Sequence, residues 1–524
     1  MSASSVNTAG VAVSNNAGGS AYSLGAEAAL AQLAMTGCFN NTFYVSGVNQ
    51  MDKVLELAKQ CDPSYLARLA VYARKNGLMK DMPAFLTAYL ATIDPALLRQ
   101  VFPHTIDNGK MLRNFVQVMR SGAVGRKSLG SASRRLVREW FDSRNDEKIV
   151  WNSVGSKPSM QDVIKMVHPK PGSESRKALY AWFIGKPYDE AVLPESLRLY
   201  QAFNKSESWE GPLPHVPYEM LQGDTLTASQ WKLLAEQATW SQTRQALNTF
   251  HRHGVFSDPA MVKVVADKLR NEEQIRRAKA FPYQLMTAYL NINSEIPTEI
   301  GLALRDAMEI ATSNVPVLEG AVYVCPDVSG SMSSALTGAR PGKGKAGAMS
   351  NVRCIDIAAL VAASILRTNP HAEVIPFEGD IRLVKLNPKA SVVENAKILA
   401  GIGGGSTACS APMKHLNGRR APINAVIYIS DNESWKDSGY GAYGWGGSRG
   451  TGTTLDAEWV KAKDRCPDAK LVSIDITPND TTQVNDRVDA MNVGGFSDDV
   501  FTAASHFLKG DGKHWVDQIK STVL

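Results

Sequence analysis

The chain has 524 residues, 44% of them hydrophobic, with 57 Lys or Arg against 51 Asp or Glu and a net charge of +6. That length exceeds one ordinary core, and the apolar content suffices for folded domains throughout, which excludes a single small domain and a wholly disordered chain. The charge surplus is too small to imply nucleic acid by itself. No run of about 18 apolar residues predicts a membrane span, and cysteines at 38, 61, 325, 354, 409 and 466 lack the C-x-x-C spacing of a zinc site.

Residues 1–20 are rich in Ser, Ala, Gly and Asn, with neither the basic start nor the apolar stretch of a signal peptide, and are expected to be a disordered tail. With the scattered cysteines, this favours a reducing cytoplasm. From about Leu24 to Thr312 the pattern is helical. Apolar residues recur at three- and four-residue spacing over Met51–Lys59, Pro63–Lys75, Pro83–Thr92, Leu112–Met119 and Ser128–Phe141, with Asp-Pro, Asn-Gly or Gly turns between them. Short helices joined by short turns suggest antiparallel pairs stacked as an α-solenoid.

Charge is concentrated within this body. Between Arg120 and Tyr180 there are thirteen Lys or Arg against six Asp or Glu, a local excess of +7 that is larger than that of the whole chain. Arg134 and Arg138 lie four apart and share a helix face, so a basic stripe able to follow phosphates is predicted there.

Val315-Pro316 is the natural boundary to a second unit of different periodicity. Ala321–Cys325 is a short apolar run expected to be a buried strand, and Val352–Arg367 a helix. Ala372–Phe377, Asn424–Ser430 and Leu471–Ile476 are further strands, and Leu455–Arg465 another helix. The alternation predicts an open α/β sheet with a site where loops converge at the strands' carboxyl ends. Asp327, Ser329 and Ser331 leave the first strand in the order D-x-S-x-S. Thr407 follows Gly403-Gly404-Gly405-Ser406, and Asp431 closes another strand. Two carboxylates and three hydroxyls suit a hard divalent cation, magnesium being expected, with a coordination position left for a partner's carboxylate or phosphate. No His or Lys beside them would serve as a general base and no Asp-x-Asp pair is present, so binding is expected rather than catalysis. Two glycine-rich insertions flank this edge. Thr337–Ser350 carries Arg340, Lys343 and Lys345, and Ser438–Thr454 carries Tyr440, Tyr443, Trp445 and Arg449, a composition able to form a basic and aromatic collar.

The Asp327, Ser329, Ser331, Thr407, Asp431 set resembles the metal-ion-dependent adhesion site of von Willebrand factor A domains. Gly125-Arg126-Lys127-Ser128-Leu129 through Trp140-Phe141, then Asp162 through Pro171, resemble the middle of the TROVE module, and Lys268 through Tyr283 its closing region. The two in this order resemble the Ro autoantigen family and its bacterial relatives. The resemblance implies a multidomain α plus α/β fold. Residues 21–316 would be a HEAT-like helical solenoid closed into a monomeric ring, and 317–524 a doubly wound von Willebrand A domain. It implies binding of small non-coding Y RNAs on the basic outer surface and of misfolded or single-stranded RNA ends through the central hole, with polynucleotide phosphorylase or another exonuclease as partner. His168, Lys157, Lys165 and Lys170 then become RNA contacts, with Arg126, Lys127, Arg134 and Arg138 a second set. The alternative is a metal-dependent protein-interaction module for which the helical ring is only a scaffold.

Overall fold

The computed structural model describes residues 11–37, 46–336, 352–438 and 453–524, apart from 156, 207–208, 210, 222–225, 279, 281, 312–314, 316, 478, 486, 496–497 and 510–513. Asp-Pro pairs open three of its helices for a simple reason. Asp62, Asp94 and Asp258 accept the N–H of Ser64, Ala96 and Ala260 at 2.8–2.9 Å, while the following proline occupies the first helical position, where no donor is needed.

The helical body begins with α1 (Ala26–Thr36), α2 (Gly47–Gln60), α3 (Pro63–Lys75), α4 (Asp81–Ile93), α5 (Pro95–Thr105), α6 (Gly109–Ser121), α7 (Gly130–Asp142), α8 (Asp146–Trp151), α9 (Met160–Val167) and α10 (Glu174–Ile184). It continues with α11 (Glu195–Lys205), α12 (Tyr218–Leu221), α13 (Ala228–Gln237), α14 (Trp240–Arg252), α15 (Pro259–Arg270), α16 (Glu272–Ala278), α17 (Pro282–Asn291) and α18 (Thr298–Ala311). The five helices expected from periodicity are α2, α3, α4, α6 and α7, with ends displaced by a few residues. Packing runs between near neighbours, α3 on α4 and α5, α4 on α6, α15 on α18. That is solenoid-like stacking, in which each amphipathic helix buries its stripe against the next pair.

Strands β3 (Val322–Pro326), β4 (Glu373–Val374), β5 (Ala425–Ser430), β6 (Lys470–Asp475) and β8 (Ala490–Gly494) form a parallel sheet in the order β4-β3-β5-β6-β8. Five helices accompany it: α19 (Cys354–Thr368), α20 (Val392–Ala400), α21 (Ala411–Gly418), α22 (Thr454–Arg465) and α23 (Asp498–Lys509). A short α24 (Trp515–Lys520) ends the chain. Strands β3 and β5 are buried along their whole length, as a parallel sheet covered on both faces requires. The sheet is doubly wound. Apolar side chains of α19 and α23 join one contiguous core that continues into the helical body. Leu455 and Trp459 of α22, with Met413 and Leu416 of α21, belong to a separate cluster on the opposite face. The expected strand Ala372–Phe377 is regular only over Glu373–Val374, with isolated bridges from Phe377 to Asp327 and to Ile381 beyond it.

The expected tail is different. Residues 1–10 lie outside the described residues, but β1 (Ala12–Ser14) and β2 (Ser20–Ser23) form an antiparallel hairpin, and β2 pairs with β7 (Thr481–Thr482) of the α/β unit. The Ser-, Ala-, Gly- and Asn-rich composition suggested disorder because strands of three and four residues are too short to show a period. Its order comes from partners more than 400 residues away, such as the carbonyl of Ser434, which accepts from Asn15 Nδ2 at 2.7 Å.

The α/β unit touches the helical body at two distant places. Helix α1 packs on β8 and α24 packs on α3, where Trp515 Nε1 donates to Tyr72 Oη at 3.3 Å. At the other end, α17 meets α19 and α18 meets α20.

Candidate functional site

The order β4-β3-β5 places the reversal of strand order between β3 and β5, so the connections leaving these two parallel strands run to opposite faces and open a crevice at their carboxyl ends. Asp327 follows β3 and Asp431 follows β5. The Asp327 N–H donates to Ile429 O at 2.9 Å, and its carboxylate accepts from Ser329 N at 2.8 Å and Ser430 Oγ at 2.6 Å. Ser329 Oγ and Ser331 Oγ are 3.3 Å apart, and the Ser331 hydroxyl also bonds Asp431. The glycine loop is drawn in by backbone bonds from Gly330 N to Gly405 O and Gly404 N to Val328 O, which deliver Thr407. The Thr407 carbonyl then receives Trp435 N and Lys436 N. All five residues singled out by sequence are thus buried at one edge.

Their electrostatics suit a cation. Burial, then the negative charge of Asp431, pushes the Asp327 carboxyl up to about 7; hydrogen bonds from Ser430 and Ser329 oppose the rise. Burial raises Asp431 as well. Sequence reasoning missed two further acids. Burial and then Asp431 push Glu433 up to about 8, against hydrogen bonds from Asn16 and Ala17, and burial pushes Asp475 up to about 7. Asp475 ends β6 just as the other two end their strands, a signal that was available. Glu433 carried none, since its hydrogen bonds come from distant segments: Asn16 Nδ2 at 2.7 Å and Ala17 N at 3.1 Å in the N-terminal hairpin, and Asn479 Nδ2 at 2.9 Å.

Among the described residues no group of three or more His, Cys, Asp or Glu is arranged to hold a metal ion. The donor set here is of another kind: two buried, mutually repelling carboxylates with three hydroxyls, which is hard-cation chemistry. A divalent ion between Asp327 and Asp431 would relieve the repulsion, with Ser329, Ser331 and Thr407 supplying neutral oxygens. The residues fit the ion.

The RNA-contact candidates occupy two places. Helix α9 opens with a capping box in which Ser159 and Asp162 satisfy one another's backbone, and closes at His168, held in a left-handed conformation at φ 49° before Pro169. Arg138 of α7 donates through Nε to Val167 O, fastening α7 to that end of α9. Arg134, one turn earlier on α7, is exposed, as are Lys165, His168 and Lys170, so a basic face gathers where the two helices meet. Arg126 and Lys127 are exposed on the loop before α7, Arg126 donating to Ala91 O at 3.3 Å, and Lys157 is exposed before the opposite end of α9. Arg176, part of the same charge run, is instead ion-paired with Asp146 between helices. The aromatic and basic residues of the two insertions lie outside the described residues.

Comparison with known proteins follows this division. The model of the Ro60 vWA domain family matches residues 322–442. The chain is similar to "RNA-binding protein RO60" of Deinococcus radiodurans, with 23% identity over 545 residues that cover 95% of this chain and 96% of that protein. The crystal structure of the Deinococcus radiodurans RO (RSR) protein superposes with a TM-score of 0.63 at 20% identity, over 93% of this chain and all of the other, which establishes likeness of fold.

Proposed function

We propose that the chain belongs to the Ro family, with a TROVE-type helical body and a C-terminal von Willebrand A domain, and that it is an RNA-binding adaptor rather than an enzyme. Small non-coding RNA of the Y class would lie on the basic face around the α7–α9 junction. Misfolded or single-stranded RNA ends would pass through the hole of a closed monomeric ring. The observation that carries the reading is the exposed group Arg134, Lys165, His168 and Lys170, gathered at one junction by Arg138. Arg and Lys there meet phosphates, and an exposed imidazole stacks on an unpaired base or donates to phosphate. Closure of the ring is supported by the contacts of the α/β unit with both α1 and α18.

The edge around Asp327 and Asp431 would hold magnesium and leave one position for an acidic group on a protein partner. An exonuclease such as polynucleotide phosphorylase is the partner class that would make an RNA adaptor useful in quality control, in the cytoplasm. A pure protein-interaction role is the second reading, favoured by how completely this edge is built.

Binding of a structured small RNA, measured at several salt concentrations, tests the reading. Lys170→Ala should weaken binding about tenfold and reduce the salt slope by about one, and His168→Ala should weaken it with unchanged circular dichroism. Wild-type protein that fails to bind such RNA, or variants that bind it as well as wild type, would overturn it and leave the protein-interaction role.

A further inference from the structure

Using none of the residues assigned to the metal edge or the basic face, helices α2, α4 and α6 enclose an open cavity of about 390 Å³. Its size is in the range of small-ligand pockets, roughly 300–1,000 Å³. Met51 and Phe85 with Val118 and Ala123 provide the apolar lining, Phe85 being fully buried. The polar side consists of Asp81, Asn114, Gln117 and Ser121, the Ser121 hydroxyl being taken up by Val118 O. Asn114 Nδ2 donates to Asp81 Oδ1 at 3.0 Å, and because an ionised carboxylate can only accept, this bond fixes the amide's orientation. The second Asp81 oxygen and the Asn114 carbonyl have no hydrogen-bond partner among the described residues, and the Gln117 amide stands exposed on the rim. An apolar slot bordered by a carboxylate and two amides matches a flat heterocycle with an amine at its edge. Aspartate accepts from the exocyclic amine of cytosine, and Asn or Gln reads adenine through paired donor and acceptor.

The surroundings select an anionic carrier for that heterocycle. Lys80 and Lys110 lie close enough to Asp81 to pull on its charge, yet neither is in an ion pair among the described residues, whereas neighbouring Arg74 is paired with Asp107 at 2.9 Å. Two unpaired ammonium groups beside an apolar slot suit a phosphate linked to a base. We infer that the α2–α4–α6 cavity accepts one unstacked nucleobase bearing an exocyclic amine, adenine or cytosine in preference to uracil, with its phosphate on Lys80 and Lys110. Uracil presents a carbonyl where the amine would be, which faces the Asp81 carboxylate as acceptor against acceptor. The inference rests on the RNA-binding reading for the strand that carries the base, while the pocket itself is independent of the α7–α9 face.

The test uses the full chain with labelled ten-nucleotide oligomers of A, C and U, and with free AMP, CMP and UMP. Wild type should bind the A and C oligomers at least fivefold more tightly than U. Asp81→Asn should bring the three within twofold, chiefly by weakening A and C, and Lys110→Ala should weaken all three alike. Gln117→Ala, at an exposed position where folding is not at risk, should weaken the A oligomer with an unchanged melting temperature. Equal binding of the three oligomers by wild type, or a preference that survives Asp81→Asn in a folded protein, overturns the pocket and leaves the RNA-binding reading intact. Asp81-dependent binding of AMP by a protein that ignores structured RNA would instead sink that reading and keep the pocket.

Discussion

Asp327 and Asp431 share one buried edge, and their protonation sets how this edge responds to pH. Folding raises the proton affinity of Asp327 and Asp475 to about 7 and of Glu433 to about 8, above the ordinary carboxylate range. The native state therefore holds more protons than the unfolded chain across that interval, and its stability falls as pH rises through it. Without divalent metal, the melting temperature should decline from pH 5 to pH 8. Magnesium should oppose the decline, with stabilisation of about 2.7 kcal/mol at a hundredfold excess over its Kd. Asp327→Asn should reduce the pH dependence, leaving the part due to Asp475 and Glu433, and remove the magnesium effect. A melting temperature at pH 8 that ignores both magnesium and the substitution would count against a cation at this edge. The five ligand candidates were legible because each belongs to a local pattern, a D-x-S-x-S turn, a glycine loop or an acid ending a strand. Glu433 was not, since what marks it is burial against a segment more than 400 residues earlier.

Among elements, the N-terminal hairpin shows where sequence patterns lose their force. Helices α3 and α7 announce themselves through period, α3 also through its Asp62 cap, whereas β1 and β2 are only three and four residues long and are joined to the α/β unit through the pairing of β2 with β7. Gly19 shows how tightly they dock: a Cβ there would lie 1.9 Å from Ser434 O, so some backbone must shift. Gly19→Ala is expected to cost about 1–3 kcal/mol, the usual range for overpacking, and to make the N-terminal segment more sensitive to limited proteolysis. Unchanged proteolysis and melting would mean that the hairpin is not held there in solution. Strand β8 was missed for a related reason. Ala490–Gly494 is only five residues long with Asn492 inside, and it is a strand because β6 offers it a parallel edge. Arg138 was placed on the basic stripe by spacing, yet its bond to Val167 O, 29 residues away, gives it a positioning role that no local pattern reveals.

In the molecule as a whole, one apolar cluster runs through the helical body and into the sheet face covered by α19 and α23. Units that share a core unfold together, so calorimetry should show a single transition in which helix and sheet signals coincide. Two resolved transitions would indicate that the junctions at α1 and α18 contribute little. The pairing of the hairpin with β7 also has a consequence in time. Ser20 and Gln483, joined by a hydrogen bond, are 463 residues apart. At about 5–20 residues per second of synthesis, the hairpin waits roughly 20–90 s for its partner to be made. During that interval the unpaired edge of β2 is exposed to every other chain nearby. Its strands, only three and four residues long, offer little edge for a stranger to extend, so the shortness that hides the hairpin from sequence reading also protects a segment that must emerge early and dock late.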